Sequence, residues 1–119
     1  MNNRKTEIER REILDLMRPF NRKQGCLKFY ANETRDHKYK KFLLFIKLQE
    51  EGYEVYSEVI FNSGKRCDIL GIKDGVGYGF EVLSSETIAM VYKKLVNYPE
   101  IISWSIIAKE KDIGLWFGE

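Results

Sequence analysis

From Tyr53 to Leu83 the hydrophobic pattern shifts from helical spacing to strand spacing, and two short glycine-containing turns, NSGK and KDGVG, cut the stretch into three. Tyr53, Val55, Val59 and Phe61 alternate with Glu54, Tyr56 and Glu58, the two-residue period of a half-buried strand. Arg66 to Ile72 gives a second strand and Val76 to Leu83 a third. Strands joined by connections this short pair as neighbours, so a β-meander is the frame on which the rest must be arranged.

Helical signals flank the meander. Thr6 and Glu9 form a capping-box pattern ahead of a stripe of Ile13, Leu14, Leu16 and Met17, and Pro19 ends that helix. Residues Phe20 to Thr34 read as an irregular arm, free either to pack on the domain or to reach a partner. A second helix spans Asp36 to Glu51 and closes at Gly52. Its buried face is expected at Tyr39, Phe42, Leu43 and Ile46, with Phe45 beside them and Leu44 and Leu48 widening the apolar surface. That excess suits a helix sandwiched between a sheet and a further surface, such as a second subunit. Ser84 or Ser85 is expected to cap a third helix running to Tyr98, with Ile88, Val91, Tyr92, Leu95 and Val96 inward and Pro99 at its end. Ile101 to Ala108 reads as an interior strand, KEKD as a turn, and Gly114 to Phe117 as a short edge strand. The fold class is α/β: a mixed central β-sheet flanked by helices.

With 119 residues the chain is read as a single domain, 1–119, whose residues 1–35 form a basic N-terminal helix and arm. Residues 1–47 hold 13 Lys and Arg against 6 Asp and Glu, while 48–119 hold 7 against 12. A basic third on an acidic remainder suits contact with a polyanion, although a charge run also serves simply to solvate helix surfaces. The longest apolar run, Phe42 to Ile46, is far short of the roughly 20 residues a membrane span needs. MNNRKTEIERRE is too polar for a signal peptide, so a cytoplasmic location and no membrane partner are expected. Cys26 and Cys67 lack zinc-site spacing and read as free thiols, and His37 has no Cys or His near it in sequence.

The chemistry concentrates in GKRCDILGIKDGVGYGFEVLSS. Asp68 lies within the second strand and Glu81 within the third, each among apolar neighbours where a carboxylate is costly without a counter-ion. Two such groups on adjacent strands repel unless a cation lies between them, and paired carboxylates suit Mg²⁺ or Mn²⁺. Tyr78, Phe80 and Val82 share one face of the third strand; Glu81 shares the other with Gly79 and Leu83, and Gly79 is expected to leave space beside it.

This pattern, from Asp36 to Ala108, resembles the PD-(D/E)xK nuclease superfamily, whose restriction-endonuclease-like core is a helix, a three-stranded meander, a helix and a strand, as in archaeal Holliday-junction resolvases. The resemblance implies that Asp68 and Glu81 bind Mg²⁺ or Mn²⁺, with the main-chain carbonyl of Val82 as a further ligand, and that the protein hydrolyses phosphodiester bonds in DNA. Two positions depart from the family. Leu83 stands where the motif lysine belongs, and the early-helix Glu has no clear counterpart, although Glu33 lies just before the helix. In some family members the lysine has migrated to the following helix, which makes Lys93 and Lys94 the catalytic candidates; both also fit as solvated surface residues.

Arg10, Arg11, Arg22, Lys23, Lys28, Lys65 and Arg66 are the candidate nucleic-acid contacts, with Phe20, Phe29 and Tyr30 interleaved among those of the arm for stacking. DNA is the expected partner, in preference to RNA; the oligomeric state stays open, a homodimer through the Phe42–Leu48 helix being one alternative. The alternative is a catalytically inactive descendant of the fold, either a nucleic-acid-binding module or a dimeric interaction module.

Overall fold

Thr34 starts the helix on which the site depends: its Oγ1 accepts the His37 N–H at 3.1 Å, while Asp36 and Lys47 complement the helix dipole at the two ends. In the computed structural model, which describes residues 3–84 and 86–119, this is α2, Arg35–Glu50. It follows α1, Asn3–Leu14, and a 3₁₀ turn at Pro19–Asn21. After it come β1 (Glu54–Ile60), β2 (Arg66–Lys73), β3 (Val76–Val82), α3 (Ile88–Leu95), β4 (Ile102–Ile107) and α4 (Lys111–Trp116).

The four strands form one mixed sheet in the order β1-β2-β3-β4. The meander is antiparallel, and β4 returns through α3 to lie parallel to β3. Lys73 pairs with Val76, so the β2–β3 connection is the two residues Asp74 and Gly75, with φ of 52° and 79°. Both in the left-handed region is the conformation that matches strand twist in a tight hairpin.

Apolar clusters cover both faces of the sheet. Ile13, Met17, Tyr98 and Ile102 pack with Tyr56, Val59, Phe61, Leu70 and Ile72 on one face. Leu44, Phe45, Leu48 and Ile113 pack with Val55, Ile69, Phe80, Val82 and Ile107 on the other. The basic arm docks on the domain: the Gly25 N–H donates to the Val55 carbonyl, and Ser57 Oγ accepts from Lys28 N–H while donating to the Cys26 carbonyl.

Several local expectations are corrected. Thr6 lies inside α1, not at its cap, and the helix ends at Leu14, ahead of Pro19. The inner face of α2 is His37, Lys40, Lys41, Leu44, Phe45 and Leu48, whereas Tyr39, Phe42 and Ile46 are exposed. The phase is set by three polar groups that find partners inside, so the apolar count alone misplaces it. Alternation fails in β1 because Glu58 takes a φ of 49°, which puts Tyr56 and Val59 in the same cluster. Thr87, not Ser84, caps α3, and Ser85 lies outside the described residues. Ile88, Tyr92 and Val96 point to solvent, leaving Val91 buried. β4 is an edge strand. The segment read as a turn and last strand is α4, because Asp112 Oδ2 accepts the N–H groups of Ala108 and Lys109 and starts a helix there.

Gly79 leaves no space beside Glu81, because the Trp104 ring occupies it: a Cβ at Gly79 would sit 2.2 Å from Trp104 Cζ3. Gly79→Ala is therefore expected to lower stability by about 1–3 kcal/mol in urea unfolding, through overpacking. In a Trp104→Leu background the same change costs much less. An equal cost in both backgrounds would mean the ring is not the obstacle.

Candidate functional site

The β2–β3 ladder runs from Lys73↔Val76 to Ile69↔Phe80, and one further step in the same register sets Asp68 opposite Glu81. At that step the two strands meet through a side chain: Asp68 Oδ2 accepts the Val82 N–H at 2.7 Å. Glu81 is buried, and its Oε1 lies 2.6 Å from the hydroxyl of Tyr98. The same hydroxyl is 2.6 Å from the Arg66 carbonyl. A phenol has one hydrogen to donate, so an ionised Glu81 and this carbonyl compete for it, whereas a protonated Glu81 returns a hydrogen to Tyr98 and satisfies all three groups. Burial and the adjacent Asp68 charge push the Glu81 carboxyl up to about 8, against the opposing pull of Tyr98. Burial and the nearby Glu81 likewise push the Tyr98 phenol up. Among the described residues, neither Asp68 nor Glu81 is ion-paired to a lysine or arginine.

Behind this pair lies a charged cluster the sequence reading missed. Lys41 is fully buried; its Nζ donates to Glu58 Oε1 at 2.8 Å, to both Glu33 oxygens at 3.1 Å and to the Lys28 carbonyl at 2.8 Å. His37 Nε2 stands 3.2 Å from Glu33 Oε2 and 4.0 Å from Asp68 Oδ1. Burial raises the Glu58 carboxyl, with the charges of Asp68 and Glu33 adding to it and Lys41 opposing. Glu33, His37 and Lys41 recur at intervals of four, which is the signal that could have found them: one side of a helix and its cap carrying polar groups of complementary charge. Lys40, the other buried lysine, donates to the carbonyls of Leu83 and Ala108 and pairs with Asp36, tying α2 to the ends of β3 and β4.

A pocket of about 410 Å³ opens over the carboxylates, lined by His37, Lys65, Arg66, Asp68, Glu81, Glu86, Lys94 and Tyr98 with Gly64. Lys94 is brought to this pocket, where its charge draws on Glu81 and its Nζ lies 3.5 Å from Glu86 Oε1. Lys93 is exposed on α3 and does not line it. Of the proposed nucleic-acid contacts, Lys65 and Arg66 are at the rim, Arg66 6.0 Å from the centre of the Tyr30 ring. Arg10 is held by both oxygens of Glu54 and by Glu7, Arg11 lies 3.8 Å from Glu7, and Arg22 donates to the Met17 carbonyl. Lys23 is exposed, and Lys28 contributes its main chain to the arm's docking.

Asp68 and Glu81 are the two side chains here that could hold a hard divalent cation, a pair of oxygen ligands that would leave the remaining positions to water or substrate. No set of three or more His, Cys, Asp or Glu side chains among the described residues is arranged to hold a metal. Val82, expected to contribute its carbonyl, meets the site through its N–H, which donates to Asp68. No helix among the described residues is long and apolar enough to cross a membrane. Comparisons with protein-family models, with curated proteins and with solved structures return no match.

The raised Glu81 carboxyl carries a pH signature. The unfolded chain loses this proton near 4.5 while the folded one keeps it to about 8, so the folded state binds more protons across that window. In metal-free protein, stability is expected to fall as pH rises from about 4.5 to 8, by roughly 2–4 kcal/mol. Chemical denaturation across this range checks it, and Glu81→Gln flattens the slope.

Proposed function

We propose that this chain is a metal-dependent nuclease-like protein that hydrolyses phosphodiester bonds in DNA on a restriction-endonuclease-like core. The observation that carries this reading is the meeting of Asp68 and Glu81 across adjacent strands, without a basic partner, under a pocket rimmed by Lys65, Arg66 and Lys94. Asp68 and Glu81, with the Val82 carbonyl as the resemblance implies, would hold Mg²⁺ or Mn²⁺, which when bound would supply Lewis-acid polarisation of the scissile phosphate and a more acidic water.

The chain's own residues do the rest. The Val82 N–H fixes the Asp68 carboxylate, and the Tyr98 hydroxyl fixes Glu81 from within the fold. Lys94 stands in for the missing motif lysine, as a cation placed to offset charge that develops on the phosphate. Its ammonium is already at the pocket, beside Glu86, where a lysine at position 83 is absent. Lys65 and Arg66, at the pocket, bind the flanking backbone.

A second reading, a catalytically inactive nucleic-acid-binding member of the same fold, is favoured by Leu83 and by a cation site with only two side-chain ligands. One experiment separates the two. Supercoiled plasmid, single strands and four-way junctions are incubated with Mn²⁺ or Mg²⁺ and with chelator. Cleavage is expected to require the metal and to vanish in Asp68→Ala and Glu81→Ala. Lys94→Ala lowers the rate by about 10²-fold, well beyond the effect of Lys93→Ala, the loss expected when one charge-stabilising group is removed. Leu83→Lys raises it. Binding that weakens steeply with salt, without cleavage in any condition, establishes the second reading instead.

A further inference from the structure

The face of α2 that turns away from the sheet is ordered. Its exposed positions include Arg35, Tyr39, Phe42, Ile46 and Gln49, spaced four, three, four and three residues apart. The 3.6-residue repeat of the helix places these positions on one face, and what sets that face apart is that its central residues are large and apolar. The three central side chains are large and wet: Tyr39 is 50%, Phe42 45% and Ile46 38% exposed. Beside them a groove of about 270 Å³ runs between α2 and α4, floored by Phe42, Leu43, Ile46 and Ile113.

The charges at the ends of the seam say which helix fits. Arg35 begins it and Glu50, next to Gln49, lies at its other end; both are exposed, and neither takes part in an ion pair among the described residues. They stand 15 residues apart, about 22 Å along the helix. A second α2 laid antiparallel, with its two-fold axis between Phe42 and Leu43, sets Arg35 opposite Glu50 at both ends. The same axis sets Tyr39 opposite Ile46 twice, each tyrosine entering the other copy's groove, and joins Phe42 and Leu43 at the centre. The pattern is its own complement, as a two-fold interface must be.

We propose that the outer seam of α2 is a homodimer interface, two copies pairing antiparallel through Tyr39, Phe42 and Ile46 with reciprocal Arg35–Glu50 ion pairs. The pairing stands apart from any nuclease activity, because it needs neither metal nor DNA and uses residues outside the pocket. Sedimentation equilibrium of the full chain, without DNA or metal, across the micromolar to millimolar range tests it. The expected mass is twice the 14.1 kDa of the chain. Phe42→Glu weakens the dimer by at least about 100-fold, as removal of a central aromatic anchor does, with an unchanged circular dichroism spectrum.

Arg35→Glu brings two carboxylates together at each end, and Glu50→Arg two guanidinium groups; each weakens the dimer by about tenfold, and the double variant returns within about threefold of the parent. That recovery arises only if the two residues face each other across copies. A monomer at every concentration, as a different partner for the seam would leave it, overturns the proposal. So does a dimer indifferent to Phe42→Glu, or one that the double variant fails to restore.

Discussion

One fully buried ammonium, that of Lys41, holds the carboxylates of Glu33 and Glu58 beside a second acidic pair, Asp68 and Glu81, and the rest of the molecule is arranged to tolerate this. Glu33 and Glu58 meet Lys41 directly, so their charge is largely answered within the fold. Asp68 and Glu81 are met instead by a main-chain N–H, a phenol, an imidazole at 4.0 Å and the more distant charge of Lys94. Removing one partner of a buried ion pair typically costs more than the pair contributes, so Lys41 is a position the fold cannot vary freely. The left-handed conformation of Glu58 belongs to the same constraint: it is uncommon for a residue with a side chain, and here it accompanies a carboxylate turned to the Lys41 ammonium.

Because Lys40 and Lys41 face inward on α2, that helix divides its labour in an unusual way. The inner side carries charge as well as Leu44, Phe45 and Leu48, and it binds the sheet through polar contacts to Glu58, Leu83 and Ala108. The apolar residues displaced from it line the outer side. One element therefore organises the carboxylate cluster with one flank and offers an aromatic seam with the other, and a rotation of the helix would disturb both together.

The meander, its acidic pair and the fold class were legible in the sequence, because period-two segments between glycine turns have few other solutions. Asp68 and Glu81 stand out for the same reason: an acid between apolar neighbours on a strand is locally anomalous. What could not be read was any choice depending on a distant partner. The phase of α2 rests on Glu33 and Glu58 receiving Lys41. The shift within β1 rests on Glu58 turning toward that lysine. Gly79 looked like an opening and is filled by Trp104, a residue 25 positions on. Gly114 to Phe117 has strand-like composition, yet Asp112 caps the preceding N–H groups and Trp116 packs edge-on against Phe80 at 4.9 Å, so the segment coils. In the site, Tyr98 escaped notice because a tyrosine just before a proline at a helix end has no local reason to be anything but a boundary residue.

The two tryptophans occupy opposite faces of the sheet. Trp104 packs edge-on against Tyr98 at 4.7 Å and against Phe61, within the cluster that holds α1. Trp116 sits among Tyr53, Tyr78, Phe80 and Phe117, within the cluster that holds α2, and its indole N–H donates to Ser105. Each indole thus samples one layer of the protein and not the other. Trp104 stands one ring away from the hydroxyl that touches Glu81, and Trp116 stands in the layer that packs α2 and α4 on the sheet, so the two indoles are placed to report optically on different layers of the protein.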